Sequence, residues 1–165
     1  SEGGGRGSRA AMQTGERAAL HTRKVSSGIE VAEDLTGAYA AVRDEESKTN
    51  WCLGTYEAGS KSKIVLADQG EGGFAEMVAA LPVDGVRYGA CTYTVGGRAK
   101  TFFVSWIGES VSGMVRARAG MHKQGILNSF EGITGDVHAT DRDEISADAV
   151  RASLASAAGG ADIVL

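Results

Sequence analysis

The sequence is short of the residues that staple, span or kink. It holds one proline and two cysteines, and aromatic residues make up 6% of the chain. Cys52 and Cys91 are too few for a disulfide framework or a zinc cluster. Each sits in an apolar, strand-like stretch, which suits a reduced, buried thiol in a reducing compartment. The longest strongly apolar run is Thr101–Ile107, far below the ~20 residues of a membrane span. The N-terminus is rich in Gly and Arg and has no apolar block, so neither secretion nor membrane insertion is expected. Serine-hydrolase elbow, phosphate-binding loop, paired-histidine zinc motif and CxxC are all missing. Ile, Leu, Val and Phe total 33 of 165 residues. That is lean for a globular chain, so part of it is expected to lie outside the core.

What is present fits one domain with tails. At this length a fold buries roughly 70% of its unfolded surface and needs no metal or disulfide. The formal net charge of −4 argues against a dedicated nucleic-acid binder, and no DNA partner is expected. The charge is uneven: residues 1–28 hold five Lys/Arg and two Asp/Glu, and the remainder holds twelve and nineteen. The expected divisions are a flexible basic Gly/Ser/Arg tail over 1–28, an acidic domain over 29–160 and a short tail over 161–165.

From Ile29 the pattern becomes regular. Val31, Leu35, Ala38, Tyr39 and Val42 recur at helical spacing, which predicts a helix over Glu30–Arg43. Trp51–Tyr56 and Lys63–Ala67 read as strands, followed by a loop over Asp68–Gly73 and a short helix over Phe74–Leu81. Val86–Val95 and Lys100–Ile107 read as strands joined by a Gly96-Gly97 hairpin. The second is apolar on both faces, so it is expected at the centre of a sheet covered on both sides. A long helix over about Val111–Phe130 follows. Its Gly113, Gly120 and Gly125 each cost about 1 kcal/mol against Ala, so it needs the sheet to pack on. A strand over Gly135–Ala139 and a helix over Asp143–Ala157, capped by Thr140 or Asp141 and ended by Gly159-Gly160, complete the order. The fold class is α/β (α+β): a central mixed sheet of about five strands with helices on both faces.

No catalytic or metal-binding constellation emerges. His122 falls on the inferred buried face of the long helix and reads as a satisfied core or rim histidine. A Cys52/His138 or Cys91/His122 pairing has no support from spacing. Asp141, Asp143 and Glu144 read as a solvated helix start. Cations are the more informative group. Arg98 and Lys100 flank the hairpin tip, Arg116 and Arg118 open the long helix, and Lys123 follows; Arg116 and Lys123 are expected to share an outward face. Hairpin tip and helix start would then form one positive patch, with Met114 as an apolar anchor, suited to an acidic protein surface.

The stretch RAKTFFVSWIGESVSGMVRARAGMHK, Arg98 to Lys123, resembles the coactosin-like proteins of the actin-depolymerising-factor homology (ADF-homology) superfamily. Trp106-Ile107-Gly108-Glu109, Val111-Ser112-Gly113 and the basic residues of the long helix carry the likeness most specifically. Ala38-Tyr39 to Val42-Arg43-Asp44, Asp141-Arg142 and Ala158-Gly159-Gly160 support it. The resemblance implies an ADF-homology fold and an F-actin side binder that neither severs nor depolymerises filaments and competes with cofilin or capping factors. It implies a cytoplasmic, cytoskeletal monomer with weak or no binding to monomeric actin, no cofactor and no catalysis. It places filament binding on Lys100, with Arg98, Arg116, Arg118 and Lys123 beside it. Two other readings compete: an adaptor for anionic lipid or RNA that uses the basic tail and patch, and a thiol- or His-based enzyme.

Overall fold

Seven consecutive residues of one strand, Thr101–Ile107, are buried, and the architecture is built around them. In a computed structural model of the chain, which describes residues 22–24 and 28–165, they lie in a strand of Arg98–Ile107 at the heart of a mixed sheet. The elements run β1 (Thr22–Lys24), β2 (Glu30–Ala32), α1 (Glu33–Arg43), β3 (Trp51–Tyr56), β4 (Lys63–Gly70), α2 (Gly73–Ala79) and β5 (Val86–Val95). Then come β6 (Arg98–Ile107), α3 (Gly113–Asn128), β7 (Asp136–Ala139), α4 (Ala147–Ala158) and β8 (Ile163–Val164). Sheet order is β1-β2-β4-β3-β5-β6-β7, and β8 pairs with the end of β5.

Period-two alternation splits the core into two layers. Phe103 and Ile107 point to the face covered by α1 and α3, where they join Leu35, Tyr39, Val42, Tyr88, Ile126 and Phe130. Phe102, Val104 and Trp106 point to the other face, with Trp51, Met77, Tyr93, Val150 and Leu154. The expected central strand, covered on both sides, is what the structure has. β5 and β6 pair in unbroken antiparallel register from Val86↔Ile107 to Val95↔Arg98. Gly96 and Gly97 close that hairpin at φ 57° and 81°, the left-handed pair a tight two-residue turn requires.

Several boundaries differ from the sequence expectation. The sheet has eight strands among the described residues, rather than about five. Glu30–Ala32 is a strand, with Val31 opposite Ile64 in a parallel pair, and the helix starts only at Glu33. Val31 fits either period, and burial against β4 decides for the strand. β4 continues to Gly70, because Trp51–Leu53 of β3 pairs with Gly70–Asp68; polar Asp68 and Gln69 belong to a ladder, not to a loop. α3 is trimmed to Gly113–Asn128, and Ser112 caps it by accepting from Val115 N–H. Phe130 lies past its end, stacked on Tyr39 at 4.6 Å. α4 starts at Ala147 under a Ser146 cap, not at Thr140 or Asp141. Those residues instead form a turn in which Glu144 accepts from both N–H and O–H of Thr140. Ile163–Val164, within the expected C-terminal tail, pairs with Val95 and Thr94. Of the expected basic tail, Thr22–Lys24 pairs with β2, and the remainder up to Ser27 lies outside the described residues.

Gly120 is helical and exposed, and a methyl added there would meet nothing within 4 Å. Gly120→Ala is therefore expected to stabilise the domain by about 0.5–1 kcal/mol through helix propensity and a less flexible unfolded chain. Chemical denaturation checks this; an unchanged or lower midpoint would mean that α3 is already held entirely by its packing.

Candidate functional site

Strand geometry separates the cations that the sequence suggested were together. Lys100 lies at the start of β6, whereas Arg116 donates to the carbonyl of Gly108, just past its end, at 3.3 Å. Eight residues of strand span roughly 26 Å. The hairpin tip and the helix start are thus at opposite ends of the central strand, and the single patch becomes two.

The first surface is an open groove of about 850 Å³ between the loop after α1 and the base of the β5–β6 hairpin. Arg43, Lys48, Arg98 and Lys100 line it, with Asp44 and Glu45 on one rim. Arg43 is tied to the carbonyl of Glu131 at 3.0 Å. No ion pair among the described residues engages Lys48, Arg98 or Lys100. Those three charges remain available to a partner. Nothing in the local sequence pattern marks Arg43 or Lys48, because they reach the groove only through the packing of α1 on the sheet. Hydroxyl contacts fix that approach: Thr92 donates to the carbonyl of Val42 at 3.4 Å.

The second surface is α3. Met114 and Met121, seven residues apart, are each 75% exposed, with the half-buried Arg118 between them. Lys123 does not share an outward face with Arg116. Its ammonium pairs with Asp136 at 3.1 Å, and the side chain leans onto β7. Arg116 is likewise half-buried. The outward face of the helix is therefore apolar around Met114, Ala117 and Met121, polar further on at Gln124 and Asn128, and less basic than the sequence suggested.

A buried hydroxyl chain holds α3 in place. Tyr88 donates to the carbonyl of Ala119 at 2.8 Å. Each hydroxyl has one proton to give, so Tyr56 donates to Tyr88 across 3.2 Å. Tyr56 then accepts from His122 Nδ1–H at 2.8 Å. His122 is the satisfied rim histidine its helix position suggested. Burial first, and the Arg118 guanidinium second, hold it below the usual 6.5. A histidine depressed in the folded state binds fewer protons than in the unfolded chain, so its contribution is lost as pH falls through 6.5. Thermal midpoints at pH 7.5 and 5.5 are expected to differ less in His122→Gln than in the parent. An identical or steeper pH slope in the variant would contradict this assignment.

Neither cysteine meets a histidine. Cys52 and Cys91 are buried and free, burial pushes both thiols up to about 12, and His138 Nδ1 is 2.7 Å from Ser105 Oγ instead. Among the described residues no cluster of His, Cys, Asp or Glu is placed to hold a metal. No described helix is long and apolar enough to cross a membrane.

With this geometry, the chain matches the cofilin/tropomyosin-type actin-binding protein family over residues 28–155. The chain belongs to that family. It is similar to coactosin of Dictyostelium discoideum, at 33% identity over 131 residues, covering 76% of this chain and 88% of that protein. The crystal structure of coactosin from Entamoeba histolytica superposes with a TM-score of 0.71 at 25% identity, over 79% of this chain and 97% of that one. The solution structure of mouse coactosin, an actin filament binding protein, superposes with a TM-score of 0.63 at 27% identity, over 75% of this chain and 87% of that one. The fold is the ADF-homology fold expected from the sequence, and the chain is an actin-binding protein.

Family membership separates the residues that build the domain from those available to a partner. Trp106 Nε1–H donates to the carbonyl of Pro82 at 2.6 Å, and Arg142 lies 5.3 Å over the Trp106 ring. Arg142 also donates to the carbonyls of Val78 and Leu81. Both residues clasp the loop after α2. Two of the segments on which the sequence resemblance rests thus serve to build the fold.

Proposed function

We propose that the protein binds the side of filamentous actin without severing or depolymerising it. The observation that carries this reading is the separation of two partner-ready surfaces by the length of β6. One is the Arg43/Lys48/Arg98/Lys100 groove, and the other is the Met114/Arg118/Met121 face of α3. In this reading the cationic groove meets acidic surface on one filament subunit while the apolar α3 face meets the next, whereas a monomer engages only one of the two. Linking two weak contacts in one rigid body raises the overall affinity well above either alone. That accounts for a preference for filaments over monomeric actin. Arg116 and Lys123 support the α3 face from behind, by holding the helix to Gly108 and to Asp136.

In this reading the protein acts as a cytoplasmic monomer, associates with the cytoskeleton, uses no cofactor and occludes filament sites from cofilin or capping factors. Imaging of labelled filaments tests it. Mean filament length is expected to stay constant while bound protein rises to saturation. Shortening with bound protein would contradict the non-severing reading. The cationic groove also requires that binding weaken as salt rises from 50 to 200 mM, since exposed charges are screened within about 10 Å at 0.1 M.

A further inference from the structure

Peroxide-accessible sulfur in the described residues is confined to one place. Cys52, Cys91 and Met77 are each 0% exposed, whereas Met114 and Met121 are each 75% exposed. Burial also keeps both thiols protonated at neutral pH, and the thiol is the unreactive form. The exposed pair lies on one side of α3, seven residues apart, with Arg118 between them and glycines at 113 and 120 that leave the surroundings open. An apolar thioether pair on a bare helix face is suited to be covered by a partner. A sulfoxide there places a strong dipole where an apolar contact is required.

We propose that Met114 and Met121 form an oxidation site that releases the protein from its partner surface, a reading that rests on the filament binding proposed above. Each thioether takes one oxygen from a peroxide: the sulfur loses two electrons and gains an S=O bond, and hydrogen peroxide is reduced to water. A dithiol reductase reverses the step, with the oxygen leaving as water and the dithiol becoming a disulfide. Oxidation acts on the free protein, and filaments protect the pair when it is bound. Met77 is the internal reference, since it becomes reactive only if the domain unfolds.

The test treats the full chain with hydrogen peroxide, removes the peroxide, and measures sulfoxide at each methionine by peptide mass alongside co-sedimentation with preformed filaments. Sulfoxide is expected at Met114 and Met121 well before Met77. Filament affinity is expected to fall about five- to tenfold, as a polar group replaces a buried apolar one, and to return after methionine sulfoxide reductase. The double variant Met114→Leu/Met121→Leu, compared with itself before and after peroxide, is expected to show no change. Parent protein that binds equally well with both sulfoxides formed overturns the inference and leaves the filament reading standing. So does a loss of binding in the double variant equal to that of the parent. Untreated parent that never pellets overturns the filament reading and the inference with it.

Discussion

Lys100→Glu is expected to lower filament affinity at least about tenfold, a loss of about 1.4 kcal/mol or more in binding, with almost no effect on stability. Lys100 is half-exposed at the mouth of the groove, opposite Tyr93 in the β5–β6 ladder. It makes no ion pair among the described residues, so its removal leaves no buried charge uncompensated. Surface substitutions of that kind cost within about 0.5 kcal/mol. Reversing the charge puts a third carboxylate in the groove that Asp44 and Glu45 also line and against an acidic partner, where like charges repel. Co-sedimentation beside a thermal melt separates the two effects. A variant with parental affinity would remove Lys100 from the interface and leave α3 as the surface to test. A variant with a greatly lowered melting point would mean that Lys100 is part of the architecture.

The opposite pattern is expected for Gly108→Ala: a large loss of stability, with binding lost only as a consequence. A methyl on Gly108 would sit 2.2 Å from the carbonyl oxygen of Val83, well inside contact distance. The two chains approach because Gly108 N–H donates to the Gly85 carbonyl at 3.0 Å and Ser110 N–H donates to that of Val83 at 2.9 Å. Alanine must break one of these bonds or push the loop away. Overpacking of this sort costs about 1–3 kcal/mol, and the upper half of that range is expected here, because the clash is with backbone. The melting point should fall by roughly 6–12 °C for a domain of this size. The carbonyl of Gly108 also receives Arg116, so a displaced turn loosens the start of α3. A melting point within about 2 °C of the parent would show that the turn tolerates the methyl and that its glycine has another role.

The sequence made the fold largely legible, because β6 is apolar at every position from Phe102 to Val104 and again at Trp106 and Ile107. Only a central strand covered on both sides accommodates that run. The hairpin was equally plain, because Gly96-Gly97 supplies the two left-handed residues that a tight hairpin turn needs. Element ends were less legible. Val31 fits a helical and a strand period equally well, and only its pairing with Ile64 decides between them. Asp68 and Gln69 read as loop because ladder hydrogen bonds are made by backbone, which composition does not record.

The candidate site was half legible. Each cation named from sequence occupies the element it was assigned to, but proximity along the chain was misleading. Arg98 and Arg116 fall within one short stretch of sequence and are far apart in space, since a straight strand carries the chain away. Arg43 and Lys48 are distant in sequence from Lys100 and share its groove. Lys123 looked free because its partner, Asp136, lies on an element that meets α3 only through the fold. Met121 escaped notice for a related reason: helical spacing gives its face, and only the packed structure shows that it is left largely uncovered among the described residues.

Quantitative co-sedimentation with preformed filaments, run in parallel with gel filtration against monomeric actin, tests the central claim most directly. The protein is expected to pellet with filaments saturably and to elute apart from monomer at the same concentrations. Protein that stays in the supernatant, or that co-elutes with monomer as tightly as it pellets, would contradict a filament-side binder that uses two separated surfaces.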